Sequence, residues 1–364
     1  MGNVRIRPFG IAASSVALSL VAACGGSTAG GSDTTGSQPP PAAAQGSVRL
    51  LAHDSFVLSE SVLAGFTEQT GMTIEVVTGG DAGTMVAGAV LAAGSPTADV
   101  MFGVDNTLLS RTVDAGVFEP FTPAAIDVVA PDLLAGTGGA VTPIDYGDVC
   151  INIDDAGLAG LGVAPPTSLA DLVRPEYRDL LVVQDPGVSS PGLAFLLATI
   201  ARYGDGWSDY WRALSDNGVK VASSWTDAYL GDFSGGGDGD RPLVVSYATS
   251  PPAEIVYAAD PKPTVPSTSV MTDGCYRQVE YAGVLAGAGN PDGARELVEW
   301  LLSEPVQADV PLSMFVFPAR SGVPLPEVFT DFAAVVDDPL QLPADDVAAN
   351  LSTWLAEWGA VMGR

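Results

Sequence analysis

The stretch "MTIEVVTGGDAGTMVAGAVLAAG", Met72–Gly94, sets a strand directly before a helix. Its first part is short, apolar and rich in β-branched residues, and two glycines end it. From Asp81 onward the apolar residues recur at i, i+3 and i+4, the helical period. Working outward, "SVRLLAHD" (Ser47–Asp54) reads as a buried strand, and "SESVLAGFTEQTG" as a helix capped near Ser59 and stopped at Gly71. On the other side, "ADVMFGVD" (Ala98–Asp105) is a third strand and "NTLLSRTVDAGVF" (Asn106–Phe118) a third helix. This βαβαβα order predicts an α/β fold with a mostly parallel sheet covered by helices.

A second unit starts near Tyr146. "DVCINID", "DLLVVQDP", "RPLVVSYATS" and "YRQVEYAGVLAG" read as strands. "SPGLAFLLATIARYG" reads as a helix with Ser190 as N-cap and Pro191 at its first position. A short helix follows at "PPAEIVYAA", another at "PDGARELVEWLLSEP", and "VAANLSTWLAEWGAVM" forms an amphipathic helix near the end. The run "SGGGDGD", Ser234–Asp240, reads as a surface loop, and no phosphate-binding glycine motif precedes a helix.

Arg5 and Arg7, an apolar stretch from about Phe9 to Ala23, and "LVAAC" form a secretory signal ending at a lipobox cysteine, Cys24. Residues 1–24 are thus read as a lipoprotein signal peptide with Cys24 as the lipid anchor. Residues 25–47, rich in Gly, Ser, Thr and Pro, cannot bury enough apolar surface to order themselves and are read as a disordered tether. The folded remainder is long enough for two lobes. Residues 48–145 with about 276–317 are assigned to lobe 1, residues 146–275 to lobe 2, and residues 318–364 to C-terminal helices packing on the lobes.

The chain carries 43 Asp and Glu against 15 Lys and Arg, a formal charge of −28. Nucleic acid is excluded as a partner, since phosphate binding needs basic surface. A small cation fits better. Apart from Cys24 there are two cysteines, Cys150 and Cys275, which outside the cytoplasm are expected to pair. A single histidine, His53, and no CxxC rule against a zinc-type metal site. His53, Asp54 and Ser55 are adjacent and point alternately along a strand, so they cannot form a Ser–His–Asp relay. With no GxSxG elbow either, the chain is read as having no catalytic residues.

Polar residues instead close the strands: Asp54, Asp105, Ser189 and the Tyr247–Ser250 turn. Ligands of open α/β sheets bind at such carboxyl ends. Aromatic residues stand out in polar settings: Trp225 in "SSWTDAY", Tyr247 at a strand end, and Phe315 in "SMFVFPA". Aromatic faces attract cations and stack on flat rings.

The segments "HDSF", "ADVMFGVDNTLL", "PIDYGDVCINID", "QDPGVSSPGLAFLL", "SSWTDAY", "SYATSPPAEI", "YRQVEYAGVLA" and "PLSMFVFPA" together resemble the thiamine-binding periplasmic proteins of ABC importers. These are two-lobed class II substrate-binding proteins with a hinge, each lobe a mixed, mostly parallel sheet flanked by helices. The resemblance covers nearly all of residues 48–364. It implies a cleft that stacks thiamine between rings and holds it with acids and hydroxyls. The implied ligand-binding set is His53, Asp54, Asp105, Ser189, Trp225, Tyr247, Ser250 and Phe315. His53 stands where a tyrosine is common in the family. The cage is thinner than in some members, with Ala253 at a tyrosine position, Phe315 at a tryptophan position and Glu60 at another.

The resemblance implies a monomeric, lipid-anchored extracytoplasmic protein, with no cofactor and no metal. It would deliver thiamine to an ABC permease and its ATPase, touching the membrane only through its anchor. Helix starts at Ser190-Pro191 and Ser250-Pro251 favour anions, which extends the expectation to thiamine phosphates. A polyamine or another organic cation is the alternative ligand, and ferric ion a weaker one. An enzyme or a surface adhesin fits the pattern less well. If His53 flanks the ligand, binding is expected to weaken as its ring protonates near the ordinary value of about 6.5.

Overall fold

Runs of apolar β-branched residues buried on both faces become the interior strands of a sheet covered by helices. The computed structural model describes residues 46–364. The expected signal peptide with Cys24 and residues 25–45 of the expected tether lie outside the described residues, while its last two, Gly46 and Ser47, pair with β2 as the start of β1. The first unit runs β1 (Gly46–Ala52), α1 (Glu60–Thr70), β2 (Met72–Thr78), α2 (Ala82–Leu91), β3 (Val100–Asp105) and α3 (Leu109–Asp114). Next come β4 (Thr142–Asp154), α4 (Asp155–Leu161), β5 (Leu181–Gln184), α5 (Ser190–Tyr203), α6 (Trp207–Asp216), β6 (Lys220–Ala222) and β7 (Leu243–Tyr247). The chain continues with α7 (Pro251–Val256), β8 (Thr268–Val284), α8 (Pro291–Leu301), α9 (Glu304–Ser313) and β9 (Phe317–Pro318). It ends with α10 (Glu327–Phe332) and α11 (Ala344–Met362).

Among the described residues the strands form one sheet in the order β2-β1-β3-β8-β4-β7-β5-β6, with β9 paired to β4. Its two flanks, β2-β1-β3 and β7-β5-β6, are parallel. The centre is antiparallel, because β8 and β4 pair with each other and with β3 and β7. The α/β architecture expected from the sequence is therefore present, with parallel pairing confined to the flanks. All six residues of β3 are buried, as are Ser190–Ile200 of α5, which packs on β8. Gly71 ends α1 in the left-handed conformation (φ 73°), where its missing side chain removes the steric cost.

Strands β4 and β8 are the long central pair. Asp148 and Arg277 lie opposite each other on them and form a two-point pair, 2.6 and 3.1 Å. The ladder is interrupted between Val149 and Ile151. There Thr272, Asp273, Gly274 and Cys275 of β8 stand opposite the single residue Cys150. A disulfide joins Cys150 to Cys275 at this break, spanning 125 residues of sequence. It closes the excursion and fixes β4 to β8 where no hydrogen-bond ladder can.

α11 packs on α6, with Trp358 edge-on to Trp211 at 5.6 Å, and also touches α3. The guanidinium of Arg364 reaches Asp185 at 3.1 Å. The "SGGGDGD" segment is a turn pressed against the π-helical segment Asp227–Asp232: a Cβ on Gly236 would lie 2.3 Å from the Tyr229 carbonyl. No helix among the described residues is long and apolar enough to cross a membrane.

Replacing both Cys150 and Cys275 by serine should lower unfolding free energy by about 2–4 kcal/mol, because the unfolded chain regains the freedom of a long loop. Urea denaturation followed by tryptophan fluorescence checks this. An unchanged midpoint would show that the β4–β8 break holds without the bond.

Candidate functional site

The carboxyl ends of β1, β3, β5 and β7 carry most of the residues singled out in the sequence, while Trp225 follows β6 and Phe315 precedes β9. Three contacts there join one flank of the sheet to the other. The Gly83 amide donates to the Val188 carbonyl at 2.8 Å, and the Trp225 amide donates to Asp81 Oδ2 at 2.8 Å. The Ser190 hydroxyl donates to Asp105 Oδ2. Gly83 is required by the first contact, since a Cβ would fall 2.4 Å from the Val188 oxygen.

Asp105 is fully buried. Its Oδ1 accepts from the Thr107 amide (2.9 Å), the Thr107 hydroxyl (2.6 Å) and the Leu108 amide (3.2 Å), closing the β3–α3 turn. Its other oxygen ends a chain of hydrogen bonds. Tyr247 OH donates to Gln278 Oε1 at 3.0 Å, Gln278 Nε2 donates to Ser190 Oγ at 2.9 Å, and Ser190 donates to Asp105. The expected direct contact from Asp105 to a ligand is thus replaced by a buried link between β3 and α5. Ser190, expected as the N-cap of α5, is its first residue, and Ser189 is the cap. The Ser190 hydroxyl is drawn away to Asp105 and Gln278. Ser189, Ser190 and Pro191 are all buried, so this helix start is covered rather than open to an anion.

Three acids lie in a row across the centre of the sheet. Asp105 is in register with Glu280, and Glu280 with Asp145, on β3, β8 and β4. Paired residues on adjacent strands share a face. No donor reaches either oxygen of the fully buried Asp145, whose neighbour is Glu280. Burial, then the Glu280 charge, hold the Asp145 carboxyl well above the ordinary range. Burial also lifts Asp105 to about 7; the Thr107 hydroxyl opposes this, Glu280 adds to it, and the backbone amides oppose it. A proton retained by these carboxyls avoids the cost of burying several uncompensated charges together.

His53 Nε2 lies 3.3 Å from Glu280 Oε1, and its ring packs 5.7 Å from Phe102. Space for the ring comes from Gly103 (φ 92°): a Cβ there would stand 2.2 Å from His53 Cδ2. Burial lowers the His53 pKa, but Glu280, Asp81 and Asp54 outweigh it and raise the value overall. The ring's charge is therefore met by Glu280 instead of facing an incoming cation alone. Asp54 is exposed, and its Oδ1 accepts from the Gly80 amide at 3.1 Å.

Trp225 and Tyr247 are half-buried. The Trp225 indole N–H donates to Ser246 at 3.1 Å, and its ring stacks on Tyr229 at 5.0 Å with a 14° tilt. The Ser246 and Ser250 hydroxyls are 3.1 Å apart. Burial, then Glu280, Asp105, Asp81 and Asp145, push the Tyr247 phenol up, which places it among the acids. The Thr249 hydroxyl donates to the Phe315 carbonyl at 2.6 Å, tying Phe315 to the Tyr247–Ser250 turn. The Ser189 hydroxyl is buried without a partner.

The sequence reading gave no site role to Asp81, Asp145, Tyr229, Gln278 and Glu280, and took Ser190 for a helix cap rather than a link to Asp105. A signal was present for Gln278 and Glu280, polar residues within the strand run "YRQVEYAGVLAG", and a weaker one for Asp145, just before the run "DVCINID". Asp81 carried none beyond a helix cap, a role it also fills by accepting from the Ala82 amide.

Because Asp105 titrates near 7 in the fold and near 4 when unfolded, its contribution to stability is present below pH 4 and is lost as pH rises to about 7. The raised Asp145 and His53 values act in the same direction. Urea midpoints should be higher at pH 5 than at pH 8, and Asp105→Asn should narrow that difference. An equal difference in the two proteins would show that Asp105 holds no proton near neutrality.

The family described as bacterial extracellular solute-binding protein matches residues 95–339. The thiamine-binding periplasmic protein of Escherichia coli (strain K12) is 31% identical over 267 residues, covering 73% of this chain and 77% of that relative. The solved structure of a periplasmic thiamin binding protein superimposes with a TM-score of 0.77 at 26% identity, over 87% of this chain and 96% of the other. A ferric binding protein from Campylobacter jejuni shares the fold, with a TM-score of 0.70 at 16% identity, over 86% of this chain and 99% of the other.

Proposed function

We propose that this chain, which belongs to the bacterial extracellular solute-binding protein family, captures thiamine between the two flanks of its sheet and delivers it to an ABC permease. Membership makes it a solute-binding protein and not an enzyme. The observation that carries the thiamine reading is the Trp225 ring, backed by Tyr229 and joined through its own amide to the Asp81 carboxylate. A stacked indole beside an acid suits a flat ring that carries positive charge. The relatives named for thiamine support the same reading.

In this reading the flanks act as lobes, residues 48–145 with about 276–317 against 146–275, hinged on β4 and β8. Closure brings the Trp225 amide to Asp81 and the Gly83 amide to Val188. His53, Asp54, Asp105, Ser189, Tyr247, Ser250 and Phe315 join Trp225 in the site, with Asp105 acting through Ser190. The protein is monomeric and anchored through Cys24. Ferric ion is the second reading, favoured by the fold shared with ferric binding proteins. Iron calls for several hard anionic ligands converging on one point. Among the described residues no three His, Cys, Asp or Glu side chains are so arranged, which favours the organic cation.

Isothermal titration with thiamine should show one site per chain, with spermidine and ferric citrate weaker. Trp225→Ala should weaken thiamine binding roughly 2- to 30-fold, the loss of about 0.5–2 kcal/mol of ring–cation attraction. Binding of ferric citrate with none of thiamine would overturn the reading.

A further inference from the structure

Phe315 adopts φ 55°, a conformation that a bulky side chain occupies only when its surroundings impose it. The constraint is visible: Thr249 holds its carbonyl, and buried Val316 follows it. Backbone strain of this kind gathers at binding sites, because it aims a side chain that would otherwise relax. The half-buried Phe315 ring packs 5.4 Å from the ring of Tyr257, tilted by 58°. Tyr257 follows α7 directly and is 59% exposed, an unusually open position for a ring held against another ring. Ala253, four residues earlier and so on the same side of the helix, presents only a methyl group.

The Tyr247–Ser250 turn thus carries an aromatic pair on each side. Ser246, just before it, holds Trp225 stacked on Tyr229; Thr249 within it holds Phe315 against Tyr257. We infer that Tyr257 is a ligand-contacting residue, which with Phe315 forms a second aromatic wall that grips the flat ring of an organic cation. The inference rests on the thiamine reading and assigns that site a residue it lacked. Tyr257 supplies the ring area, and Phe315 fixes its direction. Neither ring is needed to hold the core, since Tyr257 faces solvent and Phe315 is half-buried.

Titration of the full-length protein with thiamine and with spermidine tests this. Tyr257→Ala should lower thiamine affinity about 3- to 10-fold, leave spermidine affinity within 2-fold, and leave the unfolding temperature unchanged. Tyr257→Phe should keep thiamine affinity within 2-fold of wild type, because the ring and not the hydroxyl makes the contact. Wild-type thiamine affinity in Tyr257→Ala would overturn this inference while the thiamine reading stood. An equal loss for both ligands would also overturn it, since that indicates a general disturbance of the site. Failure of the wild-type protein to bind thiamine would instead overturn the functional reading and this inference with it.

Discussion

The hydrogen-bond chain Tyr247–Gln278–Ser190–Asp105 ties together β7, β8, α5 and β3. It sits where the antiparallel centre of the sheet meets its parallel flanks. Buried polar groups are costly unless each finds a partner, and here each member is both held and holding. Asp105 cannot move without releasing the β3–α3 turn, and Ser190 cannot move without freeing Gln278. The chain therefore sets the relative position of the two flanks in this closed arrangement, at the level where a ligand would enter. The Asp148–Arg277 pair and the Cys150–Cys275 disulfide fix β4 to β8 further along the same two strands.

Around this link the electrostatics form two layers. Beneath, Asp105, Glu280 and Asp145 lie side by side, and burial raises the Asp105 and Asp145 carboxyls, which eases the repulsion between them. His53 completes this layer through Glu280. Above it, Asp54 and Asp81 stand nearer solvent, beside Trp225 and its backing ring Tyr229. On the proposed reading, an organic cation would meet this outer layer of acids and aromatic faces first.

Much of the fold was legible in local sequence because local rules govern it. The strand–helix alternation over residues 47–118, the stop at Gly71 and the buried helix of residues 190–203 follow from periodicity and from glycine's tolerance of the left-handed conformation. The antiparallel centre was not legible, because pairing β4 with β8 depends on residues more than a hundred positions apart. The excursion at Thr272–Cys275 makes β8 look like two unrelated stretches. In the site, Trp225, Tyr247 and Phe315 could be picked out as rings in polar settings. The roles of Ser190 and Asp105 could not, because a serine before a proline reads as a helix cap until its partner across the sheet is known. Asp81 stands at the start of a helical run and caps it, and its second oxygen crosses to Trp225 only in three dimensions.

The central claim is that the two flanks close on an organic cation through contacts at Gly83 and Trp225. Hydrogen exchange at these two backbone amides, followed by mass spectrometry with and without saturating thiamine, tests it most directly. The account predicts rapid exchange in the free protein and strong protection at both positions when thiamine is bound, with core amides of α5 protected in both states. Equal exchange at Gly83 and Trp225 in the two states, with thiamine demonstrably bound, would contradict it.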